Sequence, residues 1–258
     1  MSFDDDRLAA ELAEQAGKRL LDLRAGDGSP HELRKAGDRL SHEFLATELA
    51  ARRPGDAVLS EEGRDDPARL SAERVWIVDP LDGTREFGET GRTDWAVHVA
   101  LWERGSLTAG AVALPAQGQV LSTASPPVVP PAPAGGPGLA GRNLRVAVSR
   151  TRPPEFLERL SELADLTLVP LGSAGAKAAA VMQGEAHAYV HAGGQYEWDS
   201  AAPVAVAWAA GLHASRIDGS ALEYNQPDPV LPDILICPAV LAKPFLDAIG
   251  EARAAHTA

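Results

Sequence analysis

The chain has 258 residues, 45% of them hydrophobic and 23% charged, and its 24 basic against 36 acidic side chains give a formal charge of -12. That composition excludes a disordered, collagen-like or coiled-coil chain, and the length leaves room for a sizeable buried core in one large domain or two modest ones. The acidic balance argues against groove-wide binding to a nucleic acid polymer but leaves open a small anion held by metals or a helix N-terminus.

Residues 4–23 predict a helix, because Leu8, Leu12, Ala16 and Leu20 recur along one face and Asp4, Asp5 and Asp6 favour the positive end of its dipole. The acidic start Met1-Ser2-Phe3-Asp4-Asp5-Asp6 is unlike a signal peptide, and no apolar run reaches the ~18 residues of a membrane span. The expectation is a soluble, cytoplasmic protein with no membrane partner. Gly26 and Gly28 end the first helix, and a loop rich in Gly, Pro and charge is expected to residue 37. A second helix is predicted over 38–52, with Leu40, Phe44, Leu45 and Leu49 inward. Residues 57–60 and 75–79 read as short strands, 95–101 alternates as a strand, and strands near 107–114 and 119–123 are expected to complete an antiparallel sheet.

Residues 125–141 hold six of the 20 prolines, with glycines among them, and can neither pair well in a sheet nor continue a helix. They are expected as a long loop between two lobes, 1–141 and 142–258. Beyond them, strands over 144–149, 166–169, 186–191 and 234–237 alternate with helices over 155–164, 173–183, 199–210 and 240–255. The expected class is α/β, an α+β lobe followed by an α/β lobe whose parallel or mixed sheet is covered by helices. The single cysteine, Cys237, falls in the last strand as a small core residue; it excludes an intrachain disulfide and fits a reducing compartment.

The chemistry concentrates in Trp76-Ile77-Val78-Asp79-Pro80-Leu81-Asp82-Gly83-Thr84. An apolar strand delivers Asp79 at its end, Pro80 turns the chain, and Asp82 follows closely enough for both carboxylates to converge on one point. Gly83 permits a tight turn, and a helix starting at Thr84 would offer free N–H groups to an anion. Hard oxygens beside such amides suit Mg²⁺ and a phosphate. Taken alone, the same residues also read as ordinary turn chemistry, and Asp199 in Glu197-Trp198-Asp199-Ser200-Ala201-Ala202 as a helix N-cap.

Taken together, Asp79-Pro80-Leu81-Asp82-Gly83-Thr84, the Trp198-Asp199-Ser200-Ala201-Ala202 string and Leu59-Ser60-Glu61-Glu62-Gly63 stand in the order found in the inositol monophosphatase-like superfamily of Mg²⁺-dependent, lithium-sensitive phosphatases, which the chain resembles over nearly its whole length. Arg85-Glu86-Phe87, the Gly172-Ser173-Ala174-Gly175-Ala176-Lys177 turn and the segment from His191 to Asp199 resemble the CysQ branch, the 3'(2'),5'-bisphosphate nucleotidases that remove the 3'-phosphate of 3'-phosphoadenosine 5'-phosphate in sulfur assimilation. The resemblance implies a layered α-β-α-β-α sandwich. It implies a first Mg²⁺ held by Glu61, Asp79 and the Leu81 carbonyl, and a second held by Asp79, Asp82 and Asp199. Glu62 would help place a third ion through water. Gly83 and Thr84 amides would receive the phosphate, and Asp38 would pair with the Thr84 hydroxyl to orient and deprotonate the attacking water.

One departure bears on Asp38: the run Leu33-Arg34-Lys35-Ala36-Gly37-Asp38 lacks the threonine that the family carries just ahead of this aspartate. The alternative role for Asp38 is the N-cap of the second helix. Substrate is expected to meet Gly172, Ser173, Lys177, His191 and Asp199. Lys177 reads either as a solvated side chain or as a contact to a ligand phosphate. His191 or Ala192 stands where inositol monophosphatases carry a glutamate for ring hydroxyls, so a histidine, Gly193, Gly194 and Lys177 are expected to leave room and donors for a second phosphate. His98 reads as a structural histidine, and His187 and His213 have no metal-site spacing. The alternatives in function are an inositol monophosphatase or fructose-1,6-bisphosphatase activity, or a non-catalytic nucleotide sensor; the intact set of carboxylates argues against the sensor. The expected partner is a small phosphorylated molecule, with a homodimer allowed for.

Overall fold

Two long helices open the chain in the computed structural model, which describes residues 3–26, 28–135 and 138–256. Met1 and Ser2 of the acidic start, Asp27 of the expected 26–37 loop, and Gly136 and Pro137 of the Pro/Gly-rich stretch lie outside the described residues. Helix α1 (Phe3–Arg24) buries the predicted stripe of Leu8, Leu12, Ala16 and Leu20. Helix α2 (Pro30–Arg52) begins well before the expected residue 38. The cause is a capping box: the Ser29 hydroxyl accepts the Glu32 N–H at 3.3 Å, and the Glu32 carboxylate accepts the Ser29 N–H at 3.1 Å. Pro30 at the first helical position is a start signal, because its missing N–H has no intrahelical partner to lose. Asp38 therefore lies inside the helix and is not its N-cap.

The first sheet runs in chain order through β1 (Ala57–Ser60), β2 (Arg74–Asp82), β3 (Ala96–Glu103), β4 (Ser106–Leu114) and β5 (Gln119–Ser122). It is mixed, not purely antiparallel: β1 runs parallel to β2 because residues 61–73 cross over between them, while β2 to β5 pair antiparallel. A short helix, α3 (Thr84–Gly88), follows β2.

The second sheet has the order β7-β6-β8-β10-β9, from β6 (Leu144–Ser149), β7 (Leu166–Leu171), β8 (Ala188–Ala192), β9 (Leu212–Ser215) and β10 (Asp233–Pro238). Strand β6 pairs parallel with both β7 and β8, and β10 pairs antiparallel with β8 and β9. The sequence reading omits β9, a four-residue edge strand whose burial does not alternate. Helices α4 (Leu157–Leu163), α5 (Ala174–Met182), α6 (Glu197–Ala209) and α7 (Ala239–His256) connect and cover this sheet.

Three apolar clusters define the layers. Trp76, Val78, Val97 and Val99 face α1 and α2. Val75, Ile77, Ala96 and Val112, on the opposite face of the same sheet, pack on α5 and α6, which also cover Tyr189, Ile234 and Ile236 of the second sheet. Val146, Val190 and Leu235 turn outward onto α4 and α7. The order is thus α-β-α-β-α, as expected. Strand β2 alternates between two buried layers, which is why it reads as a continuous apolar run. No helix among the described residues is long and apolar enough to cross a membrane, and Cys237 is a buried free thiol.

Candidate active site

Parallel pairing of β1 with β2 brings their C-terminal ends to one edge. Ser60 pairs with Val78, so the next residue of each strand, Glu61 and Asp79, emerge side by side. The β2–β3 register then breaks between Asp79 and Asp82, a bulge at Pro80-Leu81 that turns Asp82 towards the middle layer. Asp199, in the first turn of α6, reaches the same point from above. One ligand oxygen from each of Asp79, Asp82 and Asp199 lies within 4.8 Å of the others. Asp199 occupies the third helical position, not the N-cap: its carboxylate accepts the Tyr196 N–H at 2.8 Å, leaving its other oxygen for the cluster.

Asp82 is the most heavily supported of the three. Its oxygens accept the Ala174 N–H at 3.1 Å and the Gly175 N–H at 2.6 Å, both at the start of α5. His98 Nε2 stands 3.1 Å from Asp82 Oδ2, and His98 Nδ1 donates to the Trp198 carbonyl at 3.0 Å. This approach requires Gly175, whose added Cβ would lie 2.3 Å from His98 Nε2 and 2.9 Å from the Ala96 methyl. Burial by itself would raise the Asp82 carboxyl, but His98, Lys177 and the Gly175 N–H together hold it below its ordinary value. Burial likewise opposes a charged His98, and Asp82 outweighs it, raising that ring. His98 is structural, as expected, but it is tied directly to the acidic cluster.

The other carboxylates are held less comfortably. Burial, then Glu61 and Asp82, raise Asp79 well above the usual range. Burial and Asp82 raise Asp199 to about 6. Glu61 sits on the rim with solvent on one side, yet loss of water and the nearby Asp199, Asp82 and Glu62 charges raise it to about 7. The Glu61 charge is one of the groups that raise Asp79. The donor set is all hard oxygen and uncompensated in charge, and it fits a divalent metal of the Mg²⁺ kind. Glu62 is exposed and outside the three-aspartate group, although its charge bears on Asp38 and Glu61.

Beside the cluster, Thr84 Oγ1 lies 3.1 Å from Asp38 Oδ1 and 3.0 Å from the Leu81 carbonyl oxygen, so its one proton is divided between two acceptors. Burial and the Glu62 charge raise Asp38 to about 6. Gly83, at φ 84°, caps α3 in the left-handed region, and a Cβ there would meet the Ser173 Cβ at 2.9 Å.

A cavity of about 200 Å³ opens from Asp82, Gly83, Thr84 and Asp199 towards Gly172, Lys177 and His191. It lies at the C-terminal ends of β6 and β8. Strand β6 leaves towards α4 on the outer face and β8 towards α6 in the middle layer, a switch point of the kind that leaves a crevice in open α/β sheets. Ser173 caps α5 by accepting the Ala176 N–H at 2.8 Å. Lys177 is not a solvated side chain: it is 2% exposed, and its Nζ donates to the Gly172 and Ser173 carbonyls at 2.6 and 2.8 Å. Burial lowers it to about 8. His191 departs from the expected donor role. Its Nε2 donates to the Gly193 carbonyl at 2.6 Å, burial lowers the ring to about 4, and its Nδ1 is left as a buried acceptor without a partner. Ala192 lines a second cavity further out.

Residues 6–251 match the inositol monophosphatase family. A 3'-phosphoadenosine 5'-phosphate phosphatase of Mycobacterium tuberculosis is 56% identical over 244 residues, covering 92% of this chain and 90% of that protein. The 3'(2'),5'-bisphosphate nucleotidase CysQ of Escherichia coli K12 is 30% identical over 244 residues, covering 83% and 92%. The solved inositol monophosphatase of Zymomonas mobilis superposes with a TM-score of 0.77 at 23% identity, over 96% of this chain and 98% of that one. The chain belongs to the inositol monophosphatase family. That family is metal-dependent, which accords with the oxygen cluster at Asp79, Asp82 and Asp199.

For an inositol monophosphatase-family chain, several participants lie outside the expected site residues. Asp94 accepts the Gly172 N–H at 2.7 Å, and its carbonyl accepts the Ser173 N–H at 3.2 Å, joining the first lobe to the α5 turn. Glu86 on the cavity wall accepts from Arg150 at 2.6 Å. Ser149, Thr151, Arg152 and Gln195 also line the cavity. The signal that could have found the last four is positional: Ser149 ends β6, Thr151 and Arg152 follow it, and Gln195 follows β8 at the switch point.

Proposed function

We propose that the protein is a Mg²⁺-dependent phosphomonoesterase that hydrolyses the 3'-phosphate of 3'-phosphoadenosine 5'-phosphate to AMP and phosphate, in the cytoplasm, as part of sulfur assimilation. The observation that carries the reading is the convergence of Asp79, Asp82 and Asp199 beside a cavity that Asp82 and Asp199 line, in a chain 56% identical to a phosphatase named for that substrate. Glu61, Asp79 and the Leu81 carbonyl would hold one Mg²⁺, and Asp79, Asp82 and Asp199 a second, with Glu62 assisting a third through water. Bound there, the ions would lower the pKa of water and offset charge on the reacting oxygens of an in-line displacement.

The chain's own groups supply orientation and proton transfer. Thr84 Oγ1 donates its proton towards Asp38, so its lone pair faces outward to accept from the attacking water. Asp38, raised to about 6 by burial and Glu62, is basic enough to take the proton that Thr84 passes on. The Gly83 and Thr84 amides at the start of α3 receive the phosphate oxygens. Asp82, fixed by His98 and the α5 amides, would hold its share of the metal in place. His191 Nδ1, an unpaired acceptor, suits a ribose hydroxyl, while Gly172, Ser173 and Lys177 form the wall beside it.

The test is phosphate release from 3'-phosphoadenosine 5'-phosphate, inositol 1-phosphate and fructose 1,6-bisphosphate, with and without Mg²⁺. The position of His191 offers no carboxylate to accept polyol hydroxyls, which would go unpaired on binding. The kcat/KM for the nucleotide should exceed that for inositol 1-phosphate by at least ~10-fold, or about 1.4 kcal/mol of transition-state binding. Equal or reversed efficiencies would assign the chain to the polyol-phosphate branch.

A further inference from the structure

The catalytic cavity is not closed at its outer end. It shares Arg152 and Gly194 with a second cavity of about 620 Å³, walled in part by Pro153, Phe156 and Ile217. Arg152 follows β6 and Gly194 follows β8, so the junction lies on the switch point itself. The Arg152 guanidinium lies over Gly194, whose added Cβ would come within 3.1 Å of Nη1. The loop beneath it is pinned by the Arg152 N–H, which donates to Ser149 Oγ at 3.1 Å.

Its electrostatic setting is unusual for this chain. Arg150 is held by Glu86 and Glu89, and Arg216 by Asp233. Among the described residues Arg152 makes no ion pair and no side-chain hydrogen bond, although it stands beside a cavity with several carboxylates in its wall. A dianion entering that cavity is repelled by the acidic cluster unless a cation at the far end receives it. Lys177 has spent two of its three protons on the Gly172 and Ser173 carbonyls, and His191 presents a lone pair. Arg85 lines only the inner cavity, next to Thr84. A planar guanidinium matches two phosphate oxygens at once, which a single remaining ammonium proton does not.

We propose that Arg152 binds the second phosphate of the substrate, the one that is not transferred, at the junction of the two cavities. The assignment rests on the bisphosphate-nucleotidase reading above and names the residue that selects a doubly over a singly phosphorylated nucleotide. The larger cavity leaves room for the remainder of the nucleotide.

The experiment compares kcat/KM for 3'-phosphoadenosine 5'-phosphate and for adenosine 3'-monophosphate in the wild type, Arg152→Ala, Arg152→Lys and Arg85→Ala. The wild type should prefer the bisphosphate. Arg152→Ala should lower that preference by at least ~10-fold, the scale of a lost charged hydrogen bond, and mainly through KM for the bisphosphate. Arg152→Lys should keep part of the preference, since it retains charge without the fork. Arg85→Ala should keep it. A preference unchanged in Arg152→Ala, one that collapses only in Arg85→Ala, or a wild type that does not discriminate overturns the assignment and leaves the phosphatase reading standing. A wild type that hydrolyses neither nucleotide with Mg²⁺ present overturns that reading and the role of Arg152 with it.

Discussion

Asp82 is held below its ordinary value in a site where burial raises the neighbouring carboxyls. Two α5 amides, His98 and Lys177 offset the cost of burying it, whereas Asp79 has carboxylates on every side. Asp82→Asn keeps the size, removes the charge and leaves His98 facing an amide. The rate should fall by at least ~10²-fold, as when a stabiliser of transition-state charge is removed. Near-wild-type turnover at saturating Mg²⁺ would take Asp82 out of the metal site. Asp38→Asn probes the other half of the chemistry. The Asn oxygen can still accept from Thr84 but the side chain cannot take a proton, so kcat should drop by about 10²-fold or more with KM little changed. A variant with wild-type kcat would reduce Asp38 to a partner that merely orients Thr84.

At the scale of elements, the position of Asp38 depends on where α2 begins. Ser29, Pro30 and Glu32 start the helix early, and the helix body then presents Asp38 to Thr84 across the gap to α3. Ser29→Ala removes the oxygen that accepts the Glu32 N–H and one side of the capping box. Equilibrium denaturation should show a loss of about 1 kcal/mol, the usual cost of deleting such a cap. No loss beyond a few tenths would mean that tertiary packing alone sets the start of α2. The early part of the chain reads as a loop because Gly, Pro and charge dominate it, yet Ser-Pro-His-Glu is a helix start in the same residues. Composition averages over a window, and a cap acts through two hydrogen bonds. Strand β9 escapes notice for a related reason: four residues do not establish an alternation.

At the scale of the whole molecule, the site is a local surplus of negative charge. Asp199 and Asp38 are raised to about 6, Glu61 to about 7, and Asp79 well above its ordinary value, each chiefly by burial. A carboxyl raised in the folded state binds its proton more tightly there than in the unfolded chain. Its contribution to stability is complete below the unfolded value near ~4 and is lost as pH rises through the folded value. The window is therefore from about pH 4 to pH 7 or above, with Asp82 and the surface ion pairs working in the opposite sense. Mg²⁺ bound there would compete with those same protons and add stability by mass action. The rise in Tm on adding Mg²⁺ should therefore be larger at pH 8 than at pH 5.5, and Asp79→Asn should shrink it at pH 8. An equal rise at both pH values would show that the metal does not bind to these carboxylates.

The α/β class and the strand that ends in Asp79 were legible in the residues because apolar periodicity and turn chemistry are local properties. The candidate metal motif was legible as a string for the same reason: Asp79-Pro80-Leu81-Asp82 places two carboxylates on either side of one turn. What the residues in order do not contain is which ends of which strands meet. Parallel pairing of β1 with β2 put Glu61 beside Asp79, and packing of α5 and α6 in the middle layer supplied the amides for Asp82 and the third aspartate. Lys177 reads in sequence as either a solvated side chain or a contact to a ligand phosphate; packing beside the switch point between β6 and β8 buries it, and leaves His191 with an acceptor where a donor was expected. Periodicity and turn chemistry depend on neighbours in sequence. Burial, protonation and the direction of a hydrogen bond depend on neighbours in space, and only the folded layers bring those together.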